Sequence, residues 1–166
     1  MPDTSTEVAL ATTTLGSAAA SIDFTSISSA YTDLRLVVVA TSTQALNAGI
    51  RFNSNTGTNY SGTGLVGNGS SASSSRYTSQ TYLKLDNFDA GLDTTPVMYT
   101  IDIFNYAGST FKTALVTLSG DTNGSGYVNR SVNLWRQTTA ISSVSFYAAS
   151  TGNLATGTTA TLYGIL

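Results

Sequence analysis

The sequence predicts an all-β fold: a two-sheet antiparallel sandwich, jelly-roll-like, of about 8–10 short strands. Three observations carry this. Apolar and polar residues alternate with period two along most of the chain, which is the strand period. Clusters of Gly, Asn, Ser and Asp punctuate the alternation at short intervals. No stretch shows the 3.6-residue spacing of an amphipathic helix. The predicted organisation is a flexible N-terminal arm over residues 1–7, then a single sandwich domain over 8–166.

The elements follow in order. Met1 to Thr6 is small and polar. Glu7 to Leu15 alternates weakly and opens the domain as a first strand. Ala18 to Phe24 places Ala20, Ile22 and Phe24 on one face, and Ser26 to Ala30 is a turn. In Thr32 to Thr41, Leu34, Leu36 and Val38 face one way and Arg35, Val37 and Val39 the other. Gly49 to Asn53 is a short strand, and Asn53 to Gly57 a turn of residues that tolerate left-handed backbone. Ser61 to Ser79 reads as a long loop at one end of the sandwich, with at most a short strand at Leu65-Val66. Thr81 to Asp86 alternates again, and Asn87 to Pro96 is a loop.

The strongest hairpin is Val97 to Leu118. Val97, Tyr99, Ile101 and Ile103 share a face opposite Asp102 and Phe104. On the second arm Lys112, Ala114, Val116 and Leu118 oppose Phe111 and Leu115. Taking Ala107-Gly108-Ser109 as the loop sets Ile103 opposite Thr113 and Ile101 opposite Leu115, with Asp102 diagonal to Lys112. Both faces are apolar, so the hairpin belongs at the centre of a sheet. After a Gly120 to Gly126 turn, Tyr127 to Arg136 sets Val128, Val132 and Leu134 against Tyr127, Asn133 and Trp135. Ile141 to Ala148 and Thr158 to Leu166 are the last strands.

Composition narrows function by exclusion. The 166 residues include 28 Thr and 23 Ser, while only 10% are charged, against roughly 25% in ordinary soluble domains. A net charge of −2 without a basic run gives no footprint for nucleic acid. No apolar run reaches the roughly 20 residues of a membrane helix, and MPDTSTEVAL lacks the basic and apolar regions of a signal peptide. Cysteine and histidine are both absent. That removes disulfides, thiolate or imidazole metal sites, and His-dependent hydrolase triads. No catalytic residue, cofactor site or metal site is assigned.

Several motifs have bland explanations. Gly62-Thr63-Gly64-Leu65-Val66-Gly67 matches GxGxxG, but Asn68-Gly69-Ser70-Ser71 opens no helix, as a dinucleotide site requires. Asp86, Asp89 and Asp93 could offer oxygen ligands to calcium, although turn-forming aspartates are the commoner reading. The sequons at Asn59, Asn68, Asn123 and Asn129 follow from serine richness. Tyr60, Tyr77 and Tyr82, in or near the long segment, are the candidate contacts for a partner or glycan through an exposed aromatic row. Aromatic residues are more often core or interface.

One resemblance goes further. The pieces SAAASIDFTSI, YTDLRL, RFNSNTGTNYS, GNGSSASSSR, IFNYAGSTFKT, LWRQTTAISSVSF and GNLATGTTATLYGIL occur in this order from about Leu15 to Leu166. In this the chain resembles a family of tailed-bacteriophage virion structural proteins. The resemblance implies a jelly-roll module without enzymatic activity: a capsid decoration (cement) protein, or a related tail module. It implies a homotrimer on the outer capsid surface, bridging subunits of the major capsid protein and stabilising the shell, with no nucleic acid, membrane or cofactor. The alternative is a tail or fibre module binding host surface glycan. No invariant site motif comes with it, so no residue receives a role; where the family's loop commonly reads Gly-Asp-Gly, this chain has Gly67-Asn68-Gly69. The arm, with Pro2, Asp3, Thr4, Ser5 and Thr6, is a candidate capsid contact because it is polar and unpatterned.

Overall fold

The structure, a computed structural model, describes residues 6–85 and 91–166. Its strands are β1 (Glu7–Thr14), β2 (Ser21–Phe24), β3 (Asp33–Ala40), β4 (Ala48–Phe52), β5 (Tyr60–Gly67), β6 (Ala72–Gln80), β7 (Leu83–Lys84), β8 (Val97–Phe104), β9 (Lys112–Asp121), β10 (Gly126–Trp135), β11 (Val144–Ala148) and β12 (Thr159–Ile165). They form an eight-stranded sheet, β1-β12-β3-β8-β9-β10-β5-β6, and a four-stranded sheet, β2-β11-β4-β7.

Without the two inserted hairpins, β5–β6 and β9–β10, the remaining strands pair as one long hairpin rolled on itself. β1 pairs with β12, β2 with β11, β3 with β8 and β4 with β7, all antiparallel. This nesting is the jelly-roll topology. The inserted hairpins widen the large sheet beyond β8, in the order β9-β10-β5-β6.

The core lies between the sheets. Leu34, Leu36, Val38, Tyr99, Ile101, Ile103 and Val116 of the large sheet meet Ile22, Phe24, Ile50, Phe52, Val144 and Phe146 of the small one. The Tyr99 and Phe146 rings cross the interface edge to face, 5.3 Å apart, as do Phe52 and Trp135 at 5.5 Å. The predicted inward residues of β3 and β8 are the buried ones.

Four sequence expectations are corrected. First, the described residues form 12 strands where 8–10 are expected, chiefly because Ser61 to Ser79 is a hairpin and not a loop. Gly and Ser have poor strand propensity, but β5 pairs with β10 on one side and β6 on the other. Asn68 builds the turn: its side-chain oxygen accepts from the Ser70 and Ser71 amides at 3.0 and 2.9 Å, and Gly69 has φ +83°. Gly62 is required by close approach, because a Cβ there would lie 2.2 Å from Asn133 Oδ1 and 2.8 Å from the Tyr77 ring. The GxGxxG match thus sits within a strand.

Second, the β8–β9 register is shifted by one: Ile103 faces Ala114 and Ile101 faces Val116. The connection is 105–111, not three residues. It is held inside by Tyr106, which is fully buried and donates its hydroxyl to the Ser28 carbonyl. Lys112 is not near-diagonal to Asp102 in an ion pair. It is buried, with its ammonium donating to the Gly108 carbonyl at 2.6 Å and to those of Thr110 and Thr138. Burial pushes its pKa down.

Third, the faces of β10 separate as expected, but the inward one is polar. Asn129, Ser131, Asn133 and Trp135 are buried, and Val128 and Val132 are exposed. Fourth, Glu7 already lies in β1, and the Thr6 carbonyl accepts from the Leu166 amide at 3.1 Å. Thr6 and Glu7 of the expected arm are thus paired to the sheet, and the rest of it, Met1 to Ser5, lies outside the described residues.

Tyr60 ties β5 to β4. It is fully buried, and its hydroxyl accepts from the Phe52 amide at 3.1 Å. Burial pushes that hydroxyl up to about 12, against the opposing pull of the Phe52 amide. Below pH 10, the ordinary tyrosine value, the folded and unfolded states are both protonated and this contribution is whole. It is lost as the pH climbs through about 12, and Tyr147, pushed up to about 12 by the same cause, adds to the loss. Urea midpoints should therefore be flat in these groups below pH 10 and fall above it. Tyrosinate absorbance should show part of the signal appearing only with unfolding, and Tyr60→Phe should reduce that part.

Candidate interaction surface

A jelly roll has two outward faces, and here they differ. The outward residues of the large sheet form continuous rungs across all eight strands. One runs Thr12, Thr161, Val37, Thr100, Thr117, Arg130, Leu65, Ser74. The next toward one end contains Val39, Met98, Ser119 and Val128, and the next toward the other contains Arg35, Asp102, Leu115, Val132, Thr63 and Arg76. Regular antiparallel pairing aligns them because the pleat alternates side chains strictly.

The exposed large apolar residues gather on this face. Leu65 is 63% exposed, Val128 60% and Val132 48%. Val39, Met98 and Phe104 join them, while Phe111 lies in the β8–β9 connection and Leu166 beyond β12. Single exposed apolar side chains are ordinary; several on one face of one sheet make that face the candidate interaction surface. A shallow groove at one end is lined by Val39, Pro96, Met98, Ser119, Tyr127 and Val128.

Charge on this face is sparse and divided. Toward β1 lie Glu7, Asp33 and Asp102, with Arg35 among them. Arg35 meets Asp102 at 2.6 Å and Glu7 at 3.5 Å, and these partners, Asp102 first, hold its pKa above the ordinary value. Toward β6 lie Arg76 and Arg130, with Asp121 at the end of β9.

The other outward face, on the small sheet, is polar and aromatic. Tyr82 and Tyr147 pack edge to face at 5.8 Å over Gly49. The Arg51 guanidinium lies 4.6 Å from the centroid of the Tyr147 ring.

The residues singled out from sequence fall as follows. Tyr60 is core and Tyr77 is 8% exposed, so the expected exposed row of Tyr60, Tyr77 and Tyr82 does not exist. The sequence places them in or near a long loop, whereas pairing of β5 and β6 turns the Tyr60 and Tyr77 rings inward. Tyr77 lies over Gly62, and its hydroxyl donates to Asn133 Oδ1 at 2.6 Å and accepts from the Lys84 amide at 3.0 Å. Tyr82 is half-buried on the small sheet's outward face. Of the candidate arm residues, Pro2, Asp3, Thr4 and Ser5 lie outside the described residues; Thr6 is exposed. Asp86 and Asp89 also lie outside them, and Asp93 accepts from the Thr94 amide at 2.6 Å. Among the described residues no three acidic, cysteine or histidine side chains group as metal ligands. The outward apolar face was missed as a site, though its signal, apolar residues on both faces of one hairpin, was present. Comparison with protein-family models, curated proteins and solved structures finds no match.

The two faces of one sheet make a direct test. Val116→Ala, inward on β9, should cost about 2 kcal/mol as a cavity in the core. Val132→Ala, outward on β10, should stay within about 0.5 kcal/mol. Denaturant midpoints read both.

Proposed function

We propose that this chain is a non-enzymatic structural protein of a tailed-bacteriophage virion. In this reading it is a capsid decoration (cement) protein that binds the outer capsid surface as a homotrimer and bridges subunits of the major capsid protein. The observation that supports this best is the wide outward face of the eight-stranded sheet, which is dotted with exposed apolar residues. Such a face suits lateral burial against other proteins better than capture of a small substrate. Ser and Thr richness with few charges suits a surface that must pack densely without like-charge repulsion. The sequence resemblance points the same way. Residues Pro2 to Thr6 remain the candidate capsid-contacting arm in this proposal.

A second reading, a tail or fibre module binding host surface glycan, is favoured by one observation. Tyr82, Tyr147 and Arg51 form an outward aromatic and cationic group, the kind of surface on which sugar rings stack.

Cryo-EM of the virion that carries this chain tests both. Density of this jelly roll on the capsid at threefold or quasi-threefold positions is the expected result, with occupancy reduced when residues 1–6 are deleted. Density confined to the tail, with the capsid bare, overturns the cement reading and selects the glycan one.

A further inference from the structure

We infer that the free edge of β6 is a docking site for an extended segment of another protein, which adds to the large sheet as a further strand and carries an aliphatic and an acidic side chain two residues apart. This contact lies at the rim of the sheet and stands whether or not the virion reading does.

The four sheet edges are not alike. An edge strand offers unpaired backbone N–H and C=O groups to any other strand, and proteins blunt their edges with short strands, bulges, prolines or lysines. β2 has four residues and β7 two. β1 is interrupted by a register shift between Ala9 and Ala11, in the middle of the strand. β6 has nine residues, without lysine or proline, and pairs with β5 in unbroken register from Ala72 to Tyr77. Its irregularity comes only beyond that stretch, where Ser79 has φ +54°.

Backbone parity identifies the open groups. In the β5–β6 turn the Asn68 amide donates to the Ser71 carbonyl at 3.1 Å. Hydrogen-bonded pairs alternate along an antiparallel ladder. Ser73, Ser75 and Tyr77 therefore turn their backbone groups to β5, and Ala72, Ser74 and Arg76 turn theirs away from the sheet. Those three residues are exposed, and among the described residues no group bonds to their outward backbone. Main-chain bonds to such an edge supply affinity for an extended segment, and alternate side chains supply its specificity.

The side chains select the occupant. Ser74 and Arg76 stand on the outward face, opposite Leu65 and Thr63 of β5. Leu65 is 63% exposed, and toward the rim it is flanked by the small Ser74. A large aliphatic residue opposite Ser74 on an added strand reaches past it and covers Leu65. Among the described residues no carboxylate pairs with Arg76, so an acid opposite it makes a cross-strand ion pair. The two fall two residues apart because one face of a strand repeats at every second position. The described edges of this chain do not supply that pattern. β6 has no acid, β1 has Glu7 already against Arg35 and its register shift close by, and β2 and β7 are too short. A foreign segment is therefore a better occupant than a second copy.

Peptide titration of the full chain, read by amide NMR shifts, decides it. The first probe is acetyl-Thr-Thr-Glu-Thr-Leu-Thr-Thr-amide, which in antiparallel pairing sets Glu opposite Arg76 and Leu opposite Ser74. The second, acetyl-Thr-Thr-Glu-Leu-Thr-Thr-Thr-amide, has the same composition with Glu and Leu on opposite faces. The first is expected to shift the amides of Ala72, Ser74 and Arg76 at millimolar concentration, and to bind roughly threefold more tightly than the second. Arg76→Glu should reverse the charge preference, so that the first probe with Lys in place of Glu binds better than the original. Ser74→Pro removes an outward N–H, leaves the ladder to β5 in place and should abolish binding in a chain that circular dichroism shows to be folded. Unmoved edge amides, equal binding of the two probes, an unreversed charge preference, or a folded Ser74→Pro chain that binds like the wild type would each overturn the inference. Edge amides that become protected as the protein alone is concentrated would put a second copy there and overturn the foreign segment.

Discussion

The rest of this molecule depends on a mismatch in width. One sheet has eight strands and the sheet across from it four. At about 4.8 Å per spacing the small sheet is about 14 Å wide and the large one about 34 Å. The small sheet covers the part of the large one that belongs to the rolled hairpin. The inward side of β10, β5 and β6 must be sealed in another way. At the boundary the rings of Phe52, Tyr60 and Trp135 pack with centroids 5.5 to 6.3 Å apart. Beyond them, Tyr77 folds over Gly62 onto Asn133, and Leu83 and Leu85 from the β7 segment are fully buried. The Tyr127 hydroxyl donates to the Gly91 carbonyl and ties the β10 edge of this region to the segment after β7.

That sealing explains the inverted pattern of β10. A tyrosine hydroxyl, not an aliphatic sheet, meets the inward side at Asn133, so Asn133 and Ser131 can be buried there with partners. Asn133 accepts from Tyr77 and donates to Ser131 at 3.0 Å. Such a network is favourable when its members are satisfied and expensive when they are not. With Asn129, Ser131 and Asn133 turned in, the pleat obliges Val128 and Val132 to turn out. The apolar character of the outward face therefore follows from how the extension is closed on its inner side.

Much of the fold was legible because strong alternation survives any context. Leu34 to Val38 and Val97 to Ile103 put a large apolar residue at every second position, and all of those are buried. The β5–β6 hairpin was illegible because Gly62, Gly64 and Ser73 to Ser75 have little intrinsic preference for strand. Gly62 and Gly64 are held extended by pairing with β10, a contact of high sequence separation, and Ser73 to Ser75 by pairing in turn with β5. The hairpin register failed for a different reason. Ala107-Gly108-Ser109 looks like a sufficient turn, and nothing local announces that Tyr106 and Lys112 both need room to point inside. As for the site, period two tells which residues share a face but not which face is wet. Tyr60 and Tyr77 stand in the sequence as candidate contacts for want of the strands that bury them, and Val132 goes unremarked for want of knowing that Asn133 is inside.

The same features set the character of association at this face. Few charges mean weak steering and modest encounter rates, so affinity must come from burial. Burial on a face half made of threonine is modest too, since each hydroxyl must keep water or find a partner. A single contact at such a face is therefore weak for its area, because ordering and desolvation consume much of what burial returns. In the proposed setting that weakness is compatible with permanence. Copies held on a lattice present several contacts at once, and after the first each further contact is effectively intramolecular. A surface of this composition assembles firmly where its partners are already arrayed and dissociates when they are not.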